Sequence, residues 1–161
     1  MDKSSRGFSL IELLIVVAII LIIAAIAIPN FLRSRIAANQ ASAVASLRTL
    51  NTSEIAYAST FNTGYSQDLA SLAPPVPAGA NPTSTAAGLI DSILATGIKS
   101  GYSFAYTPGV GDSSGRIYTY SAIGVPISSN TGANYYFTDQ SGVIRQNSTT
   151  TAASTDSPLA G

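Results

Sequence analysis

The chain opens on a short polar segment, Met1 to Gly7, and then turns apolar. From Phe8 to Ile28 only Ser9 and Glu12 are polar, and Leu13 to Ile28 contains no polar residue. At about 1.5 Å rise per residue, a helix over Phe8–Ile28 is about 32 Å long and matches a hydrocarbon core of about 30 Å. The pattern predicts a membrane span. From Asn30 to Phe61 the chain is rich in Ala and free of Pro and Gly. At about 100° per residue, Ile36, Ala43, Leu47, Leu50, Ala58 and Phe61 share one side, with Arg35, Ser42, Ser46, Thr49 and Ser53 elsewhere. One long helix is therefore expected, apolar all round over 8–29 and amphipathic over 30–61. Pro29 lies at the junction, lacks an N–H and clashes with the preceding turn, so a kink is expected there. Glu54 falls inside the apolar stripe, which the pattern does not explain.

Asn62-Thr63-Gly64 supplies a helix stop, with Gly64 as terminator. The region 62–100 reads as loop around Pro74, Pro75, Pro77, Gly79 and Pro82, with a short helix over Ala86–Thr96 closed by Gly97. From 101 to 147 the period changes to two. Tyr102–Tyr106 alternates large and small side chains, Arg116–Ile123 and Asn134–Asp139 are rich in strand formers, and Gln140-Ser141-Gly142 turns the chain into Val143–Arg145. Three or four short strands joined by short turns favour an antiparallel sheet. Such a sheet needs cover for its apolar face, and the amphipathic half of the long helix is available. The expected class is α+β. Residues 148–161 form a Ser/Thr-rich tail, read as solvated.

Composition narrows the chemistry. The 161 residues include 8 Lys+Arg and 8 Asp+Glu, no His and no Cys. Zero net charge gives no case for nucleic acid as the main partner. Without imidazole or thiol there is no usual general base, thiolate nucleophile or zinc set, and no disulfide. Gly111-Asp112-Ser113-Ser114-Gly115 has the look of a protease nucleophile loop, but a triad without His cannot be built. Gly109-Val110-Gly111 lacks the rest of any phosphate-binding motif. No catalytic residue, metal site or cofactor is expected, and the chain is not read as an enzyme.

A secretory signal peptide cut after Ala25-Ile26-Ala27 is the ordinary alternative for the N-terminus. It leaves unexplained the length of the apolar run, Glu12 near its start and the helical pattern beyond it. The positive-inside count does not orient the span, since Lys3 and Arg6 precede it while Arg33 and Arg35 follow. A carboxylate among Leu, Ile and Val costs about 2.5–3.5 kcal/mol at mid-membrane, and less near the interface. Either Glu12 stays among the head groups or it awaits a positive partner from a chain end or another subunit.

Gly7-Phe8-Ser9-Leu10-Ile11-Glu12, the following apolar run and Pro29 resemble the prepilin signature of type IV pilins and pseudopilins. The resemblance covers about the first third of the chain. It implies the pilin fold. It implies a cut between Gly7 and Phe8 by a membrane aspartyl peptidase facing the cytoplasm, and N-methylation of the new Phe8 amine. It sets the leader (1–7) inside and the globular part outside. It also implies that Glu12 pairs with the N-terminal amine of a neighbouring subunit, the charge that the span itself lacks. The segment Tyr136–Arg145 resembles the end of some disulfide-free bacterial pilins.

The expected function is a major pilin, the structural subunit of a helical homopolymer drawn from the inner membrane to the cell surface by an assembly machinery with a cytoplasmic ATPase. Adhesion, twitching motility, DNA uptake and biofilm formation are all compatible roles. A minor pilin or a pseudopilin of type II secretion is the alternative within the resemblance. Some pseudopilins hold calcium in a C-terminal loop, but Asp112, Asp139 and Asp156 are too isolated here to claim such a site. The sequons at Asn51-Thr52-Ser53 and Asn147-Ser148-Thr149, together with the tail, are candidate glycosylation positions.

Overall fold

Helix α1 begins where Ser9 and Glu12 supply a start signal. The computed structural model describes residues 8–159, and in it α1 runs Leu10–Phe61, 52 residues. Ser9 is the N-cap, and Glu12, in the first turn, reaches back so that its Oε2 accepts the Ser9 N–H at 2.9 Å. That is one arm of a capping box, Ser-x-x-Glu. Pro29 lies inside the helix, which continues through it. The Asn30 side chain donates to the Ile26 carbonyl at 3.0 Å, and Ser34 Oγ donates to that of Asn30 at 3.1 Å.

The chain divides into two units, one through Arg35 and one from Ile36 onward. In the first, the large apolar side chains from Phe8 to Ile28 are all exposed. A helix apolar on every face and buried on none has the solvent preference of a lipid-facing segment.

In the second unit, the α1 residues Ala43, Val44, Leu47, Leu50 and Tyr57 join a core with Tyr102, Phe104, Tyr120, Ala122 and Tyr136 of the sheet. Leu69, Leu72, Ala87, Ile90 and Leu94 of the connecting segment complete it. The buried face is wider than the expected stripe. Ser46 and Ser53, placed off the stripe by periodicity, are buried. The connecting segment covers a second side of the helix, where Ser53 Oγ donates to the Leu89 carbonyl at 2.9 Å.

The left-handed terminator of the helix lies two residues before Gly64. Asn62 takes the left-handed conformation, φ 54°, and its N–H reaches the Ala58 carbonyl at 3.1 Å; Asn is the commonest substitute for Gly in that role. Gly64 serves another purpose. A Cβ there would lie 2.0 Å from the Ile117 carbonyl oxygen, because the 63–65 backbone pairs closely with Ile117 through Tyr65 N to Ile117 O (2.8 Å) and Ile117 N to Thr63 O (3.3 Å).

The 62–100 region is folded upon itself. A 3₁₀ turn, Ala70–Leu72, offers carbonyls to the amides of Ala87, Leu89 and Ile90. Those amides are thereby committed, so the helix expected over Ala86–Thr96 shrinks to α2, Ser92–Ala95. Its start is set by Asp91, whose Oδ1 accepts the Leu94 N–H at 2.9 Å. Gly97 closes it with φ 77°, as the sequence suggests.

The sheet holds five strands in sequence order, all neighbours antiparallel. They are β1 (Ile98–Lys99), β2 (Tyr102–Pro108), β3 (Tyr120–Pro126), β4 (Tyr135–Asp139) and β5 (Arg145–Asn147). The short β1 was not foreseen. β3 starts four residues later than expected because Arg116 and Ile117 are held elsewhere, by Asp112 and by the Thr63–Tyr65 backbone. Tyr102 and Phe104 of β2 and Tyr120 and Ala122 of β3 face the core, in the alternation of a sheet covered on one face. The architecture is α+β, with the Ile36–Phe61 part of α1 packed on the antiparallel sheet.

The Ser/Thr-rich tail does not stay free in solvent. It returns along β5, with Gln146 N to Ser157 O at 3.1 Å and Leu159 N to Ile144 O at 2.7 Å. Arg145 Nη1 donates to the Asp156 carbonyl at 2.8 Å, and Ala152 is buried. Backbone pairing at a sheet edge outweighs the low apolar content from which a solvated tail was expected.

Candidate assembly site at the helix N-terminus

Gly7 lies outside the described residues, so the Gly7–Phe8 junction is represented by Phe8 alone. Phe8 is 83% exposed and directly precedes the capped helix start at Ser9. Glu12 stands one turn in, at the positive end of the helix dipole. Its Oε2 is engaged by the Ser9 amide, and among the described residues no cationic side chain pairs with it. Among the described residues the local fold therefore offers the carboxylate a neutral donor and no opposite charge. Phe8, Ser9 and Glu12 are brought together at one helix end, while Pro29 lies well along the helix and takes no part. The spacing Ser9-x-x-Glu12 encodes this capping role, a signal separate from the charge that Glu12 carries.

Glu54, unexplained by the pattern, is fully buried. Its Oε2 accepts the Ser66 N–H at 2.8 Å and its Oε1 accepts the Ser66 hydroxyl at 2.5 Å. The Tyr106 hydroxyl donates to the Ser66 carbonyl at 3.0 Å, closing the cluster. Burial raises the Glu54 carboxyl above its ordinary range, and the Ser66 hydrogen bonds offset that in part. Burial likewise pushes the Tyr106 phenol up. This cluster holds the segment after α1 against the sheet and keeps Glu54 and Ser66 out of solvent, with Tyr106 half-buried.

Asn51 is also buried. Its Nδ2 donates to Thr138 Oγ1 (2.9 Å) and to the Gly142 carbonyl (3.2 Å), and its Oδ1 accepts from Tyr120 (2.9 Å). That network removes Asn51 from the candidate glycosylation positions, since a glycan on Nδ2 would break it. Asp112, Asp139 and Asp156 each serve their own turn, accepting from Ser114, from Ser141, and from Asn147 and Ala153 respectively. The turn at Asp112 holds its exposed carboxyl down at about 2, chiefly through the Ser114 hydroxyl. Among the described residues, no three potential metal ligands of the Asp, Glu, His or Cys type converge.

An apolar, unburied helical segment with a capped N-terminus and one acidic residue in its first turn has the features of a membrane-inserted helix. The family model described as the prokaryotic N-terminal methylation motif matches residues 2–28. Among curated relatives, the type IV major pilin protein PilA of Myxococcus xanthus is 51% identical over 53 residues, 33% of this chain and 24% of that protein. The type IV wide pilus major component PilA4 of Thermus thermophilus is 60% identical over 37 residues, 23% of this chain and 28% of that protein. The chain thus matches about a quarter of the length of each. No solved structure matches it. The N-terminal segment is similar to those of these two major pilins, and the long helix with its antiparallel sheet is consistent with the pilin fold.

Proposed function

We propose that this protein is the major pilin of a type IV pilus. The observation that carries the reading is the methylation-motif match over 2–28, together with a helix whose large apolar side chains as far as Ile28 are all left unburied. In this reading the precursor sits in the inner membrane, with residues 1–7 on the cytoplasmic side. A prepilin peptidase cuts between Gly7 and Phe8 and methylates the new Phe8 amine. An assembly machinery with a cytoplasmic ATPase then extracts the subunit into a surface filament.

Extraction from lipid exposes the apolar helix, and packing against identical helices offsets that exposure. Head-to-tail contacts that do not close generate an open helical fibre. Glu12 enters the apolar interior at a cost unless it meets a positive group, and the Phe8 amine of a neighbour supplies one. The pair itself adds little net stability, because desolvation offsets attraction. Leaving it unmade is strongly unfavourable, which selects the axial register.

The test is N-terminal mass analysis of protein from a sheared surface fraction. An abundant chain starting at methylated Phe8 supports the reading. The same N-terminus confined to membranes would favour a minor pilin or pseudopilin, and a start at Ile28 or an intact Met1 would overturn the assignment.

A further inference from the structure

A concave site of about 180 Å³ opens between the last turns of α1, the 63–67 segment, the Ser84–Thr85 turn and Gly115–Ile117. At about 30 Å³ per liquid water it has room for about six waters, the scale of one small ring and well below the ~300 Å³ at which drug-sized pockets begin. No carboxylate, amine or guanidinium lines it. Its lining has no formal charge to favour a phosphate, a carboxylate or an ammonium group over a neutral ligand. Its lining includes the half-buried Tyr65, the largely buried Tyr57 and Ile117, and the polar residues Thr63, Gln67 and Thr85. The Gln67 amide and the Tyr65 hydroxyl have no hydrogen-bond partner among the described residues, so both are free to serve a ligand.

The site is also held in shape. Gly64 lets the Thr63–Tyr65 backbone lock onto Ile117. The Tyr57 hydroxyl donates to the Ser84 carbonyl at 2.6 Å, and Thr83 and Ala86 exchange backbone hydrogen bonds at 3.1 Å across the turn. The Tyr65 ring rests edge-on against Tyr120, centroids 4.8 Å apart. A preformed site spends little binding energy on ordering itself.

We infer that this pocket binds a neutral sugar ring. A pyranose has an apolar C–H face for the half-buried Tyr65 ring and a rim of hydroxyls that both donate and accept. Only side chains such as amides and hydroxyls, which also do both, satisfy that rim without a charge. The inference goes beyond the filament reading and does not rest on it, since the site lies wholly within one subunit. Were the subunit also polymerised, each copy would repeat the site and weak binding would gain by avidity.

The test is saturation-transfer NMR on the full-length protein in phosphocholine micelles, sugar-headed detergents being avoided as competitors. The probes are glucose, galactose, mannose and N-acetylglucosamine, with inorganic phosphate as the charged control. The expected result is transfer to at least one sugar with a Kd of about millimolar, and none to phosphate. Gln67→Ala should weaken it about tenfold, the worth of one good hydrogen bond. Thr85→Trp, made on an exposed turn and filling the cavity, should abolish it while leaving the thermal melt unchanged. No transfer to any sugar, transfer that survives Thr85→Trp, or binding of phosphate in preference would each overturn the inference. This outcome is independent of the mass analysis that decides the filament reading.

Discussion

Glu54 on α1 accepts both the amide and the hydroxyl of Ser66, at 2.8 and 2.5 Å, deep in the core and without a cation. The two residues fasten the chain leaving the helix back onto it. Because burial raises the Glu54 carboxyl, the native state binds its proton more tightly than the unfolded chain does. This contribution is therefore greatest below the unfolded value of about 4.3 and is lost as pH rises through the raised native value. Thermal melts of the full-length protein against pH should show stability falling across that window and then levelling. In Glu54→Gln, which cannot titrate, that fall should be absent. Glu54→Ala leaves the Ser66 amide without its acceptor and a cavity beside it, and should cost about 3 kcal/mol. A profile identical in the wild type and Glu54→Gln would show that the raised carboxyl makes no difference to stability.

Gly64 and Gly79 both have positive φ, 79° and 89°, but their surroundings differ. A Cβ at 64 would meet the Ile117 carbonyl at 2.0 Å, whereas a Cβ at 79 would meet nothing within 4 Å. Gly79→Ala should cost about 1 kcal/mol, the conformational term alone. Gly64→Ala must also force apart the Thr63–Tyr65 and Ile117 backbones, and should cost about 3 kcal/mol or more. Denaturant midpoints of the two variants test this, and equal losses would mean that the close approach contributes nothing.

Asn51 joins α1 to three points of the sheet region at once, Thr138, Gly142 and Tyr120. Tyr120→Phe removes one donor and leaves the Asn51 oxygen still accepting from Thr138 at 3.1 Å, so its cost should be about 1 kcal/mol. Asn51→Ala strands the remaining partners and should cost about 2–4 kcal/mol. With Asn51 already removed, Tyr120→Phe should cost much less. Additive losses in the double-mutant cycle would argue that the contacts are independent.

The outline of the fold was readable where the signal is local. The apolar run, the helix to Phe61, the alternation at Tyr102–Tyr106 and the turn at Gly142 all sit within a few residues of their cause. The misreadings share a different origin. On a helical wheel Glu54 looks misplaced and Ser53 looks solvent-facing, until the connecting segment brings Ser66 and Leu89 to them. The helix expected from Ala86 fails because carbonyls fifteen or so residues upstream take the amides it would need. The tail looks soluble by composition, yet its backbone finds an open strand edge at β5. Partners distant in sequence decided each case, and periodicity carries no information about them. At the N-terminus the local signal Ser9-x-x-Glu12 encodes a cap, on the same residue that carries a charge into an apolar run.

That double character of Glu12 makes the last prediction a sharp one. As a cap, the residue needs only an oxygen that accepts the Ser9 amide at 2.9 Å, and Gln supplies one. As the partner of a neighbour's Phe8 amine, it needs a negative charge, which Gln lacks. If register depends on charge pairing, Glu12→Gln and Glu12→Ala subunits should both be cut after Gly7 and both fall at least about tenfold in the sheared surface fraction. Glu12→Asp keeps the charge on a shorter arm and should recover assembly in part. If the cap is what matters, Glu12→Gln should assemble at wild-type levels while Glu12→Ala does not. Quantifying processed subunit in membranes and in fibres for the three variants separates these cases. Normal fibres from Glu12→Ala would refute both roles, because that variant has neither the acceptor nor the charge.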